Sequence, residues 1–257
     1  MPARAESASD YGARPIGMLR SMTAMNPRST DRPAGRTVVI AFAVAIGAAA
    51  ALVAVALLLR NDSSSSTPTT TPVVDLAGIP QHGAVLGSPS AGVTLIEYAD
   101  PQCPGCRAYT ENFFPAVVDA YVRAGKVDTV FRGFPFIGSD SVKGYRFLLA
   151  AAEQNMLWNL QEAMYRNQGG ENSGWITDDL IRELASQIPG LDVEKLFADA
   201  GSAKITQEAE GAKAEAQAVG IQGTPTLLIQ VGDQAPYMIQ VATVEQLRAA
   251  LDDALAG

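Results

Sequence analysis

The chain is short of the side chains that staple or metallate a small extracellular fold. It has two cysteines and one histidine in 257 residues. That excludes a disulfide framework as the thing holding the molecule together. It also leaves too few ligands for a zinc site within one chain, since such a site takes about four. A basic excess is missing as well: 19 Lys and Arg stand against 27 Asp and Glu, a net charge of −8, so nothing in the charge points to nucleic acid. No internal repeat is visible.

A third shortage is local. From Thr37 to Leu59 no residue is charged, and the stretch is almost wholly Ala, Val, Ile, Leu, Phe and Gly. About 20 such residues cross a bilayer core, so the run predicts a single transmembrane helix. A cleaved signal peptide is the alternative, but its apolar core and leader are normally shorter and no clean A-x-A site follows Leu59. A buried core helix fits poorly with so uniform a run. Ahead of it, Arg4, Arg14, Arg20, Arg28, Arg32 and Arg36 outnumber Glu6, Asp10 and Asp31 by three, which leaves −11 for the rest of a −8 chain. The positive-inside rule then puts the N-terminus in the cytoplasm and the remainder outside. Residues 1–36 read as a disordered cytoplasmic tail, 37–59 as a membrane anchor, and 60–77 as a linker built around Ser63-Ser64-Ser65-Ser66 and Thr69-Thr70-Thr71. The folded domain covers 78–257.

What the domain does have is Cys103-Pro104-Gly105-Cys106. An apolar, β-prone run ends at Ala99, Asp100-Pro101 breaks it, and Cys103 opens a helix predicted to continue through Tyr109, Phe113 and Phe114 to Tyr121. Pro104 suits the first helical turn, where its missing N–H would have no partner. Residues at i and i+3 bring their Cα atoms to roughly 5–6 Å, within disulfide range. A helix N-terminus also stabilises a thiolate, so the better exposed Cys103 is expected to have a lowered pKa. The pair reads as a redox couple. A structural disulfide is the plain alternative, but so short a loop gains little chain entropy.

Further along, Lys126 to Phe136 predicts a second strand and Ser141 to Asn167 a long helix. Shorter helices are expected over Thr177–Ile188, Val193–Ala200 and Lys204–Ala218. Gly223-Thr224-Pro225-Thr226 leads into the β-rich Leu227–Val231, then a turn, a paired strand at Tyr237–Val241 and a last helix capped by Thr243. His82 lies in a Gly/Pro-rich lead-in and reads as a surface residue.

This order resembles the thioredoxin fold, an α/β architecture. More narrowly it is similar to the bacterial DsbA-like disulfide oxidoreductases, which carry an inserted helical subdomain, here at about 139–218. The resemblance spans roughly Gly78 to Ala256. It rests on Cys103 and Cys106 joined to Gly223-Thr224-Pro225-Thr226 and to Ile96-Glu97-Tyr98. It implies that Cys103 is the exposed attacking cysteine and Cys106 the buried resolving one. Pro225 would be the cis-proline against the disulfide, with the backbone at Thr224 pairing with a substrate strand. Glu97, six residues before Cys103, would be a buried acid serving as proton acceptor for Cys106; alternation places it on the same strand face as Val93, Leu95 and Ala99. Some strongly oxidising members of that family carry a His between the cysteines, where this chain has Pro104-Gly105.

The activity so implied is that of a membrane-anchored, extracytoplasmic disulfide donor to cysteine-containing secreted proteins. A quinone-linked thiol oxidase of the membrane would reoxidise it, and no metal or organic cofactor is implied. A reductase or isomerase of the same fold is the alternative within the class, and a peptide-binding chaperone module the alternative outside it.

Overall fold

The structure is a computed structural model that describes residues 75–257. The expected tail and anchor, and the linker up to residue 74, lie outside the described residues. Among the described residues no helix is long and apolar enough to cross a membrane.

The Gly/Pro-rich lead-in folds back on itself as two short antiparallel strands, β1 (Gln81–His82) and β2 (Val85–Leu86), and leaves His82 exposed. The next strand, β3 (Val93–Ala99), follows a two-residue period: Val93, Leu95, Glu97 and Ala99 are buried and the residues between them are less so. It runs parallel to β4 (Val127–Gly133) and antiparallel to β5 (Thr226–Val231), and β5 pairs in turn with β6 (Tyr237–Ile239). The sheet order is β1-β2-β4-β3-β5-β6, so β3 is a central strand with a neighbour on each side.

Between β3 and β4 the chain forms α1 (Pro104–Asn112) and then α2 (Phe114–Val117), which loosens into a π-helical turn over Val118–Val122. The sequence predicts one continuous helix here. Pro115 supplies no N–H to the preceding turn, so the helix is interrupted at Phe113 and restarts. The helix expected over 141–167 is likewise two: α3 (Ser139–Ala152) and α4 (Leu157–Arg166). Asn155, at φ 58°, turns the chain between them, a left-handed conformation that Asn tolerates better than most residues. Three helices follow close to their expected positions: α5 (Asp178–Ser186), α6 (Val193–Ala200) and α7 (Ala203–Ala218). Each is capped by a side chain, from Thr177, Asp192 and Ser202 respectively. The last helix, α8 (Val244–Ala256), takes its cap from Thr243, with Gln246 reaching back to the Ala242 N–H at 2.7 Å.

The helices cover both faces of the sheet. Ala216 of α7 packs with Phe134, Ile221 and Leu228, against Ile96 and Tyr98. The larger core on the other face takes Leu247 and Leu251 of α8, Cys106 and Tyr109 of α1, and Trp158 and Tyr165 of α4. Trp158 anchors α4 to the rest: it stacks on Phe114 at 5.1 Å, meets Phe131 edge-on, and its Nε1 donates to the Ala84 carbonyl. The redox helix is thus packed between the sheet and the helical segment.

Candidate active site

The break after β3 places both cysteines. Asp100-Pro101-Gln102 turns the chain, and Cys103 becomes the N-cap of α1, with extended backbone and Pro104 as the first helical residue. Its sulfur does what a serine oxygen does in that position: it accepts the Cys106 N–H at 3.4 Å. Cys103 keeps 7% of its surface exposed and Cys106 none, so only Cys103 can be reached from solvent. Both are free thiols.

Their environments push the two sulfurs apart. The Cys103 pKa is lowered to about 6, chiefly by the Cys106 thiol donating to its sulfur. Burial opposes this, while Thr224 and the backbone N–H groups of Cys106 and Gly105 add to it. Cys106 goes the other way. Burial raises it first, then the hydrogen bond to Cys103 and the charges of Cys103 and Glu97, with the Asp100 backbone pulling back a little. The pair is therefore a thiolate held by a thiol.

Across from it, the Thr224–Pro225 peptide bond is cis, and the Cys103 sulfur, in its protonated form, donates to the Thr224 carbonyl at 3.3 Å. Gly105 makes the approach close: a Cβ there would stand 3.1 Å from Pro225 Cδ and 3.5 Å from the Cys103 sulfur.

Glu97 lies beneath, 1% exposed, on the strand face that alternation assigns it. Its neighbours on that face are Phe131 on β4 and Leu227 on β5. Burial among them raises its pKa to about 8; Gln161 of α4 favours the ionised form, and the charge of Cys103 opposes it. Its Oε1 has no hydrogen-bond partner. Arg107, beside the pair in sequence, is turned away and bridges Glu111 at 2.9 Å.

Sequence reading saw Asp100 only as a strand breaker. In the structure it is fully buried and the most heavily bonded carboxylate of the site. Oδ1 accepts from the Gln102 N–H at 2.8 Å and the Ser141 hydroxyl at 2.6 Å, and Oδ2 from the N–H groups of Phe136 at 2.8 Å and Ile137 at 3.1 Å. Gln168, past the end of α4, donates to the carbonyls of Pro101 at 3.0 Å and Cys103 at 3.2 Å. Apart from Gln102, these partners come from 36 to 67 residues away, which no local pattern announces.

On the open side of α1 lies a groove of about 380 Å³. Tyr109, Phe113, Pro225, Leu227 and Met238 line it, and Met238 is half exposed. An extended apolar segment reaching Cys103 would meet this wall and the Thr224 backbone together.

Comparison with known proteins shows the family and the fold. Residues 81–253 match the family model described as Thioredoxin. A Bacillus cereus protein named "Probable disulfide bond formation protein D" is 32% identical over 147 residues, covering 56% of this chain and 68% of that one. The oxidised crystal structure of BdbD from Bacillus subtilis superposes with a TM-score of 0.60 at 24% identity, over 70% of this chain and 98% of that chain. A thioredoxin-like oxidoreductase from Silicibacter pomeroyi superposes at 0.53 with 28% identity, over 70% of this chain and 93% of that chain.

Proposed function

We propose, for a chain that belongs to the thioredoxin family and within it to the DsbA-like thiol–disulfide oxidoreductases, that it donates its Cys103–Cys106 disulfide to cysteine pairs of exported proteins. The observation that carries exchange chemistry is the asymmetry of the two sulfurs, one at the rim and one fully buried, and the donor direction is supported by relatives named for disulfide bond formation. A thiolate with a pKa of about 6 stabilises the reduced state, and a stabilised reduced state makes the corresponding disulfide the stronger oxidant.

In the forward reaction a substrate thiolate in the groove attacks the Cys103 sulfur of the disulfide. The Cys103–Cys106 bond breaks and its electron pair leaves with Cys106. Glu97, protonated at neutral pH because its pKa is about 8, supplies the proton that the buried Cys106 sulfur needs, and regains one in the reverse direction. A second substrate thiolate then attacks the substrate sulfur of the mixed disulfide, and Cys103 leaves as the thiolate. Two electrons have moved from the substrate dithiol to the protein. The Thr224 backbone pairs with the incoming strand, and Pro225 closes the side of the site. The residue 37–59 segment holds the domain at the outer face of the membrane, where a quinone-linked thiol oxidase takes the two electrons and restores the disulfide.

The test is the equilibrium of the full chain with glutathione buffers. A reduction potential above about −200 mV supports a donor; one near the thioredoxin value of about −270 mV moves the protein to the reductases.

A further inference from the structure

Two buried polar networks meet at Cys103, and one of them has no part in the chemistry above. Asp100 is fully buried, and none of the ion pairs among the described residues involves it. Its carboxylate is matched by four donors, two on each oxygen. One donor is the Gln102 backbone, in the turn that delivers Cys103. The other three belong to the loop after β4 and to the first turn of α3. The Asp100 carbonyl is held as well, by the Cys103 N–H at 3.0 Å and the Tyr165 hydroxyl at 3.0 Å. The Gln102 side chain extends the network, donating to Ser141 Oγ at 2.9 Å and accepting the Asn172 N–H at 2.7 Å.

The turn is therefore clamped on one side, to the loop after β4 and to the helical segment. On its other side Cys103 reaches across 121 residues of sequence to the Thr224 carbonyl, with a single contact at 3.3 Å. The groups that stabilise its thiolate act over a hydrogen-bond length, so a shift of a few tenths of an ångström in the turn weakens all of them together. We propose that Asp100 is a positioning residue for thiol–disulfide exchange, fixing through its four side-chain hydrogen bonds the turn from which Cys103 presents its sulfur to Thr224. This rests on Cys103 being the attacked sulfur. The other titratable groups facing that sulfur are Cys106 on α1, Glu97 on β3 and Tyr165 on α4.

The test is iodoacetamide alkylation of the reduced full chain as a function of pH, with Cys103 as the reacting thiol, for wild type, Asp100→Asn and Ser141→Ala. Asparagine keeps the shape but turns one oxygen into a donor, so two of the four donors lose their acceptor. The alkylation midpoint of Asp100→Asn is expected to rise by about one pH unit, a tenfold loss of thiolate at low pH. Ser141→Ala deletes one bond and is expected to raise it by about 0.3 unit, a twofold loss. An Asp100→Asn profile that superimposes on wild type, with only the melting midpoint lowered, overturns the proposal and leaves Asp100 a stabiliser of the fold. If Asp100→Asn does not fold, Ser141→Ala decides: a raised midpoint supports the positioning role and an unchanged one overturns it. A wild-type midpoint near the ordinary thiol value of about 8.5 is a different failure, since it removes the reading of Cys103 and the positioning role with it.

Discussion

The body of β3 and the turn at its end each bury a carboxylate, three residues apart, and treat it in opposite ways. Glu97 sits mid-strand between Phe131 and Leu227, with one oxygen unpartnered and its pKa raised to about 8. Asp100 sits just past the strand, equally hidden, with each oxygen bonded twice. Burial alone does not set the fate of an acid; the supply of donors does. Inside a ladder the backbone N–H groups are committed to neighbouring strands, so a side chain there finds few. Past the ends of β3 and β4 the backbone is free to turn its N–H groups inward, and Asp100 collects three of them, from Gln102, Phe136 and Ile137. The first environment favours an acid that holds and passes a proton, the second a fixed acceptor that holds the chain.

The contrast breaks most visibly in stability. Asp100→Ala strands three backbone N–H groups and one hydroxyl inside the molecule and is expected to cost about 3–5 kcal/mol in urea unfolding, at about 1 kcal/mol or more for each donor. A loss below about 1 kcal/mol would mean that other acceptors take over and that the two sites differ less than their bonding suggests.

Glu97→Gln is expected to act with the opposite sign. The folded pKa of about 8 lies above the usual 4.5, so the unfolded chain ionises first and wild-type stability falls as pH rises from 4.5 to 8. The variant lacks that slope. It should match wild type near pH 4 and exceed it by about 2–4 kcal/mol near pH 8; parallel stability curves across this range would show that Glu97 is not held protonated.

The smallest effect tests the link from Glu97 to the sulfurs. The charge of Cys103 contributes to the raised pKa of Glu97. In Cys103→Ala the Glu97 carboxyl, followed by carbon NMR, should therefore titrate a few tenths of a pH unit lower. An unchanged titration would leave burial as the whole cause.

The two acids also differ in how far sequence reveals them. Glu97 was legible because a strand has a strict two-residue period, and Val93, Leu95 and Ala99 mark the buried face on both sides of it. Asp100 has no such frame, and its partners Phe136, Ile137 and Ser141 arrive through the tertiary fold. The same division runs through the helices. Caps at Thr177, Asp192, Ser202 and Thr243 are local and mark the helix starts well. The break between α3 and α4 is less visible, because Phe147, Leu148, Trp158 and Met164 keep a helical apolar rhythm across it. Only Asn155 carries the signal there, as Pro115 does for the interruption after α1.

Gly105 has a consequence for how this enzyme can change. The residue between the cysteines that touches the redox chemistry also touches Pro225, with room for a hydrogen but not comfortably for a methyl group. Any replacement meant to alter the driving force of exchange also presses on Pro225, the wall of the proposed substrate groove. Potency and selectivity are two dials on one shaft here, and an evolutionary or engineered step in the first is a step in the second.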